Sequence, residues 1–370
     1  MKFVSLVFLI AVLVVSACSA PGGRKSDDDI PSQAAADRPA HFPQRIWGSC
    51  DFELSRKDVV WIGHLETENI PSYPGNRAAL KARALGTGAR QKYLAIKPVS
   101  YPRMGEKNLV YFRYFLNGAR SLTLQLFNLD RNDIHHVRVT GLTEGEWSEA
   151  TVDFSRAGVR PARAGERMND LVVIVEPEGE AEECELVVDD VILFSNDNED
   201  APIEEEPFPR RVISVLGFDP VEEYHPWTHT DYQIIRKGDH LENDWGVCSA
   251  LPKEGEQFKR IRLIIDPPQA VGATTRLRFR YYVKGAARVQ AMIFDLTDRD
   301  NRHIVLENPV QGAWHRATLD FTADGIKNNG NQTPFEPGSL VDDLFFLAWP
   351  AQGEQFELLV DDLVLYDAGT

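Results

Sequence analysis

The side chains that could perform chemistry in this chain form no recognised catalytic motif. The sequence contains no HExxH zinc site, no GxSxG nucleophile elbow, no phosphate-binding P-loop and no CxxC pair. A glycosidase needs two carboxylates that flank one bond, and among 56 acidic residues nothing selects such a pair. His136 and His303 occupy equivalent positions of an internal repeat, but no second histidine recurs beside them, so we expect both to be structural. The sequence therefore predicts that the protein is not an enzyme.

The chain is built on one long repeat. Residues 112–154 begin FRYFLNGARSLTLQLFNL and end GEWSEATVDF, while residues 279–321 begin FRYYVKGAARVQAMIFDL and end GAWHRATLDF. Each copy later closes with a related segment, ELVVDDVILF or ELLVDDLVLY. With its flanks the repeat spans about 150 residues, whereas solenoid units span roughly 20 to 50. The sequence therefore predicts a tandem duplication of a whole domain, which suits binding because two linked weak sites gain affinity.

Length and charge narrow the class of protein. The chain has 370 residues, which exceeds the size at which one hydrophobic core keeps growing, so two domains are expected. Its formal net charge is -16 at pH 7. Nucleic-acid affinity depends on Lys and Arg that displace counterions from phosphates. We therefore expect no nucleic-acid partner.

The first residues predict export. The apolar run at 3–15 is too short to cross a bilayer core of about 30 Å but fits a signal peptide. Residues 15–18, Val-Ser-Ala-Cys, resemble the lipobox of bacterial lipoproteins. The resemblance implies a signal peptide of residues 1–17 and a membrane partner reached through lipid on Cys18. Ser19 after the cysteine points, in that pattern, to the outer membrane of the cell envelope. An ordinary signal peptide with an incidental cysteine is the alternative.

Two polar stretches are predicted to connect the folded parts. Residues 18–45 contain Pro and Ala and show no periodicity, so we expect a disordered tether. Residues 197–210 include the segment DNEDAPIEEEPFP and are expected to form an acidic interdomain linker.

Three cysteines remain besides Cys18, namely Cys50, Cys184 and Cys248. Buried thiols behave as small apolar side chains, and this is our first expectation for all three. A bridge between Cys50 and Cys184 is the alternative in an oxidising compartment.

Apolar and polar residues alternate with period two through both copies, which is typical of half-buried strands. The leucines of residues 122–126 and the aliphatic residues of 289–293 should face the core. Turn signals such as Asn117-Gly118 separate these runs. At most Asn76 to Ala84 could form a short helix. The sequence therefore predicts an all-β fold of two tandem antiparallel β-sandwiches, jelly rolls, at residues 46–196 and 211–367.

Three features together resemble a known family. They are a central strand pair, a GxW turn that leads into a strand ending in DF, and a final strand of the form V-D-D-[VL]-x-L. In combination they are similar to the jelly-roll, galactose-binding-like carbohydrate-binding modules of bacterial polysaccharide-degrading systems. The likeness covers most of the mature chain. It implies a membrane-anchored, non-catalytic protein whose two domains bind carbohydrate.

The resemblance also implies a metal. Many such modules hold a structural calcium ion where the first and last strands meet, and Ca²⁺ takes six to eight oxygen ligands. The matching positions are Glu53 and Asp189 in the first copy and Asp219 and Asp361 in the second, or the aspartate after Asp189 and Asp361. The alternative is that the first aspartate of each pair caps backbone amides and the second points to solvent.

Sugar-binding sites combine aromatic rings with planar polar side chains. Trp61, Trp227 and Trp245 lie outside the matched stretch, the last two among His, Tyr, Asn and Asp residues, and are the aromatic candidates. The polar candidates on outward strand faces are Arg113 with Gln125 and Arg280 with Gln290. A solvated sheet face is the alternative for these four.

Trp147 and Trp314 match in the two copies and each follows a turn at a strand start, so we expect them to cap the sandwich cores. The alternative function is a structural or scaffolding envelope lipoprotein whose jelly rolls bind protein partners. Exposed aromatic residues in a groove would favour carbohydrate, and a flat apolar patch would favour a protein partner.

Overall fold

A computed structural model gives the structure of residues 30–53, 59–70, 76–98, 101–155, 162–179, 183–197, 206–218, 232–235, 247–252, 254–351 and 355–368. These residues form strands and connecting loops, as the sequence predicts. The described part of the chain includes no helix that is long and apolar enough to cross a membrane.

Domain 1 is a sandwich of two sheets. Sheet A has seven strands in the order β1-β10-β9-β12-β7-β3, with β6 beside β7, and sheet B has six in the order β11-β8-β13-β5-β4, with β2 beside β13. The strands are β1 (Ser32–Ala34), β2 (Arg45–Cys50), β3 (Val59–Ile62), β4 (His64–Glu66), β5 (Ala79–Lys81), β6 (Arg83–Ala84), β7 (Lys92–Pro98), β8 (Asn108–Asn117), β9 (Leu122–Asn128), β10 (Asp133–Thr140), β11 (Trp147–Asp153), β12 (Met168–Val175) and β13 (Glu185–Ser195).

Domain 2 is one eleven-stranded sheet that closes over its own core. We call the half with β21, β18, β24, β14, β16 and β15 sheet C, and the half with β17, β23, β19, β20 and β22 sheet D; they join where β16 pairs with β17. The strands are β14 (Arg211–Leu216), β15 (Tyr232–Ile235), β16 (Val247–Pro252), β17 (Lys259–Ala270), β18 (Thr275–Lys284), β19 (Ala286–Asp295), β20 (Asp300–Glu307), β21 (Trp314–Asp320), β22 (Ile326–Lys327), β23 (Leu340–Pro350) and β24 (Glu357–Asp367).

Alternating residues of the central strands build the two cores. The leucines of residues 122–126 and the aliphatic residues of 289–293 are at most 1% exposed, so the predicted alternation is confirmed. In domain 2, Phe279 and Phe346 come from opposite sheets and meet at 4.8 Å between ring centroids. Full burial of such a side chain contributes about 1.5–3 kcal/mol. The other residues of each of these strands lie on the outer faces of the sheets.

A sharp turn passes the chain from one sheet to the other in each domain. Gly118 and Gly285 both have φ of +69°, and a Cβ there would lie 2.4 and 2.5 Å from a backbone oxygen. Only glycine fits both the left-handed conformation and the close approach. The turn therefore links β8 of sheet B to β9 of sheet A, and β18 of sheet C to β19 of sheet D.

The repeated Asp-Asp pair forms the same β-bulge in both domains. Asp190 and Asp362 each have φ of +47°, and the ladder with the neighbouring strand shifts register beside them. The first aspartate of each pair accepts a hydrogen bond from the amide of the second at 2.8 Å, which steadies the strained residue. The VDDV pattern is therefore explained by backbone geometry.

The two domains dock through the outer faces of sheets B and C. Their shared apolar cluster combines Tyr111 and Phe194 of domain 1 with Val364 and Tyr366 of domain 2, and Phe208 from the connecting segment packs among them. Polar contacts also cross the interface, including the ion pairs Arg211–Asp51 and Arg45–Asp362. Sheets A and D lie on the far sides of the two sandwiches, so their outer faces are turned away from this interface.

Two predictions about local structure differ from the structure. Residues 30–45 of the predicted tether are part of the folded structure, because Ser32–Ala34 pairs in parallel with β10 and Phe42 is buried between the domains. Residues 76–84, the one candidate for a short helix, instead contain β5 and β6. Ala79, Leu80 and Ala82 are buried by the neighbouring strands, and this tertiary packing overrides their helix propensity.

Cys50, Cys184 and Cys248 are reduced, with no disulfide between them, and all three are buried. Cys50 and Cys184 belong to the core of domain 1 and Cys248 to that of domain 2. The expectation of buried thiols is therefore confirmed and the alternative bridge between Cys50 and Cys184 is wrong. Burial also raises the pKa of the Cys248 thiol well above its ordinary value, which keeps it unreactive.

Candidate functional site

The outer face of sheet D carries the most promising set of side chains for ligand binding. Because Val289, Ala291 and Ile293 point inward, their neighbours on β19 point outward, and the same rule holds for the adjoining strands. We call this surface the sheet D face. It consists of Arg260, Arg262, Arg288, Gln290, Met292, Phe294, His303, Phe345, Leu347 and Trp349.

Register places these side chains in rows across the strands. His303, Met292, Phe345 and Arg262 lie opposite one another in successive strands, and they form one row. The next row runs through Gln290, which lies between Val305 and Leu347. Neighbouring strands are about 4.8 Å apart, so members of a row can contact one ligand together.

Three half-buried aromatic residues, Phe294, Phe345 and Trp349, lie on this face, and arginines cover the last two. The Arg262 guanidinium lies 5.5 Å from the centre of the Phe345 ring. The Arg288 guanidinium lies 4.1 Å from the ring centre of Trp349, whose ring is also 5.7 Å from that of Phe258. These contacts hold the rings in place, so little side-chain entropy would be lost on binding a ligand.

The polar groups of the face are also held in place. Arg262 donates to both carboxylate oxygens of Asp343, at 3.0 and 2.8 Å. This fork-to-fork pair fixes a planar donor and acceptor beside Phe345. Partial burial lowers the pKa of His303, so its imidazole is neutral at pH 7 and can both donate and accept a hydrogen bond. The face thus joins aromatic rings to planar hydrogen-bonding groups.

Domain 1 has a different surface at the equivalent place. The matching ladder positions put Val172 where domain 2 has Phe345, and Ala95 where it has Arg262. The ring of Tyr93 on this surface is 8% exposed and lies under Arg83, whose guanidinium is 5.5 Å from the ring centre. Tyr93, Ala95 and Val172 form a small apolar cluster. The two copies therefore differ at the surface that could bind a ligand.

The predicted polar pairs are not brought together. Arg113 lies on the outer face of sheet B and Gln125 on sheet A; likewise Arg280 lies on sheet C and Gln290 on sheet D. Arg113 forms ion pairs with Glu149 and Asp190, while Arg280 pairs with Asp362 and covers the ring of Trp314 at 5.1 Å. Neither pair can therefore line one sheet, and of the four residues only Gln290 belongs to the sheet D face.

The tryptophan predictions have mixed outcomes. Trp61 is partly buried, packs against the core of domain 1 and forms a T-shaped contact with Phe52 at 5.9 Å between ring centroids, so its contact with a ligand stays a prediction. Trp227 and Trp245 lie outside the described residues. Trp147 and Trp314 do not cap the cores: their register partners Phe115 and Tyr282 place them on the outer faces of sheets B and C.

The described carboxylates that are predicted to bind calcium accept hydrogen bonds from N–H groups of the protein. Glu53 accepts from the Arg77 amide at 2.7 Å, and Asp189 accepts from the Asn76 side chain at 3.0 Å. Asp361 is buried and accepts a hydrogen bond from the backbone amide of Asp362. Asp219 lies outside the described residues. Within the described ranges no group of three or more His, Cys, Asp or Glu residues is arranged to hold a metal ion. The structure does not test the calcium sites, and calcium stays a prediction.

The pKa of Glu53 predicts that the stability of the protein depends on pH. Burial, with a smaller contribution from the Asp51 charge, raises its pKa from 4.5 to about 7. The folded state thus holds a proton that the unfolded state has lost, so stability should decline as pH rises from about 5 to about 7.5. Glu53→Gln should remove this decline and stabilise the protein at pH 8 by about 1 kcal/mol, after allowance for solvent screening. Urea unfolding across this pH range measures both effects, with the exposed Glu183→Gln as control.

Calcium should act through the ionised form of the same carboxylate. We therefore expect Ca²⁺ to raise the melting temperature of the parent at pH 8, and Glu53→Gln to remove the domain 1 contribution to that shift. Asp361→Ala tests domain 2 in the same way. A melting temperature that is unchanged by Ca²⁺ and by a chelator would exclude calcium from both domains.

Sequence reasoning missed Phe345 and Trp349. Their signal is present in residues 344–350, LFFLAWP, where the buried Leu344, Phe346 and Ala348 alternate with the outward residues. The whole run is apolar, however, so its alternation is invisible to a hydrophobic pattern. Only the neighbouring strands show which side of this strand faces outward.

Comparison with known proteins gives no family. No family model matches the chain, and no curated protein matches it. Among solved structures, the chain is similar to the N-terminal CBM22-1-CBM22-2 tandem domain of Xyn10C from Paenibacillus barcinonensis, with 12% identity, a TM-score of 0.25, and coverage of 89% of this chain and 99% of that one. It is also similar to the CBM22-1-GH10 modules of endo-1,4-beta-D-xylanase 10B from Clostridium thermocellum complexed with xylohexaose, with 10% identity, a TM-score of 0.24, and coverage of 42% and 28%.

A third similar structure is xanthan lyase from Paenibacillus, with 11% identity, a TM-score of 0.26, and coverage of 95% of this chain and 28% of that one. This chain thus spans less than a third of the length of the xylanase and lyase chains. Identities and TM-scores at this level carry no conclusion about the ligand, so function has to be argued from the side chains.

Proposed function

We propose that this protein binds carbohydrate through the sheet D face, without catalysis, as a lipid-anchored protein of the cell envelope. The observation that carries the proposal is the row of Met292, Phe345 and Arg262 with Asp343 beside it. The lipid anchor rests on the sequence around Cys18, which lies outside the described residues. The sheet C face is used to dock domain 1, so it is not available in the same way.

The chemistry of the face suits sugars. A pyranose ring has C–H groups that pack on aromatic and thioether surfaces, and its hydroxyls need fixed donors and acceptors in one plane. Phe345 and Met292 supply the first, and the Arg262–Asp343 fork supplies the second. Phe345 and Trp349 are four residues apart on β23, about 13 Å along the strand, so a ligand of several sugar units could reach both.

The proposal is tested by retention on polysaccharides. The mature chain with Cys18→Ser, which cannot be lipidated, is applied to a glycan array and to insoluble polysaccharides. We expect retention on at least one glycan class and about tenfold weaker binding for Phe345→Ala, equivalent to about 1.4 kcal/mol. The control is Phe115→Ala, a half-buried aromatic on the outer face of sheet B, which should bind as the parent does.

Two results would contradict this function. The folded protein could bind no glycan, in which case an envelope scaffold with protein partners becomes the better hypothesis. Alternatively, Phe345→Ala and Phe115→Ala could bind equally well, and the site would then have to lie elsewhere on the protein.

A further inference from the structure

We propose further that the glycan bound at the sheet D face is anionic, and that Arg288 recognises its carboxylate or sulfate groups. This inference rests on the proposed function and names the class of its ligand. It is carried by the placement of Arg288 on Trp349 at one end of the face.

The charge of the face differs from that of the chain. The protein as a whole carries a net charge of -16, yet three arginines, Arg260, Arg262 and Arg288, lie on this face. Arg262 is paired with Asp343, so the arginine on this face that can meet an anionic group is Arg288, which has Glu307 opposite it in register.

Arg288 is the cation best placed to contact a ligand. The residue is exposed, and its guanidinium is stacked 4.1 Å from the Trp349 ring centre. Glu307 lies opposite it in register, but within the described residues no carboxylate comes within ion-pair distance of Arg288. Arg262, in contrast, is already neutralised by Asp343.

Stacking prepares this guanidinium for an oxyanion. A planar guanidinium on an aromatic ring gives its flat face to the ring and keeps its N–H edge for a bidentate contact in the same plane. The ring also restricts the side chain before binding, which reduces the entropy lost when a ligand is held. A lysine here would keep the charge but lose the planar fork.

The equivalent corner of domain 1 has neither the arginine nor the tryptophan. Ala348 pairs with Val289 in domain 2 as Val175 pairs with Leu122 in domain 1. The next positions outward place Ser121 and Glu176 where domain 2 has Arg288 and Trp349. Domain 1 therefore lacks an arginine stacked on a tryptophan at this corner, and the proposed anion site belongs to domain 2.

The test compares acidic and neutral polysaccharides on the same protein. Binding of the Cys18→Ser chain to polygalacturonate, chondroitin sulfate and neutral xylan is measured by affinity electrophoresis at about 20 mM and about 500 mM NaCl. We expect the acidic polymers to bind at least about tenfold more tightly than xylan at low salt, with the preference reduced at high salt. Polygalacturonate and chondroitin sulfate distinguish carboxylate from sulfate as the favoured group.

Variants assign the preference to one residue. Arg288→Gln should abolish the preference for acidic polymers, and Arg288→Lys should keep its salt dependence but lose part of its strength. The control is Lys284→Gln, an exposed cation at the end of β18, which should leave the preference unchanged. Circular dichroism of each variant confirms that it is folded.

The outcomes separate this inference from the proposed function. Binding to xylan as tight as to the acidic polymers, and weakened by Phe345→Ala, would overturn the anionic ligand and leave the carbohydrate site intact. An anionic preference that survives Arg288→Gln would also overturn the inference. No binding to any of the polymers would count against both proposals.

Discussion

Replacing Arg211 with Met should lower the free energy of unfolding by about 3–5 kcal/mol, because the change leaves a buried carboxylate without its cation. The side chains of Arg211 and Asp51 are 1% and 2% exposed, and two guanidinium nitrogens lie 3.1 and 3.0 Å from one carboxylate oxygen. Arg211 also donates to the Ala270 carbonyl at 2.9 Å. The remaining Asp51 charge would face Glu53 and Asp189, whose carboxyl groups already repel it.

Urea unfolding of the parent and variant measures this loss. The matched control is the double variant Asp51→Asn with Arg211→Met, which removes both charges and should recover a large part of the stability. Because the pair joins domain 1 to domain 2, the single variant should also weaken the coupling between them. A loss below about 1 kcal/mol would show that the pair is solvated and contributes little to the contact between the domains.

The duplication, the strand periodicity and the inward residues could all be predicted from the sequence, because each is a local property. Which sheet a strand joins is not local. Asn117 ends β8 and Leu122 begins β9, only a few residues later, yet the chain crosses from sheet B to sheet A between them. Alternation shows that Arg113 and Gln125 both point outward, but outward from opposite sides of the sandwich. The predicted polar site failed for that reason.

The Asp-Asp bulge and the interdomain interface show a second limit of prediction from the sequence. The paired aspartates suggested metal ligands, whereas Asp190 and Asp362 adopt a left-handed conformation and pair with arginines. A sequence does not reveal φ at a non-glycine residue or which distant arginine will meet it. The acidic linker shows the same limit. Residues 204–206 are three consecutive glutamates, and the sequence does not show which of them has a structural role. The last of them is a central residue of the interdomain contact.

Glu206→Ala should destabilise the docked domains by about 2–4 kcal/mol and separate one thermal transition into two. Its side chain is 11% exposed and accepts from Arg276 at 3.1 Å, from Arg278 at 3.2 Å and from the Tyr366 hydroxyl. These partners all belong to sheet C, so Glu206 fastens the end of the connecting segment to domain 2. Two residues later Phe208 inserts into the shared apolar cluster. Loss of Glu206 should therefore also weaken the packing of Phe208 in this cluster.

Differential scanning calorimetry distinguishes this role from that of an ordinary surface charge. Glu144→Ala is the matched control, since Glu144 pairs with Arg120 at side-chain exposures of 37% and 78% and should contribute under about 0.5 kcal/mol. If the two domains are coupled through the connecting segment, Glu206→Ala gives two transitions where the parent and Glu144→Ala give one. A single transition with an unchanged midpoint in Glu206→Ala would mean that Glu206 does not couple the domains and that the other interdomain contacts are sufficient. In that case Phe208→Ala, which removes a ring 5.0 Å from Tyr111 and 5.5 Å from Phe194, should produce the separation instead.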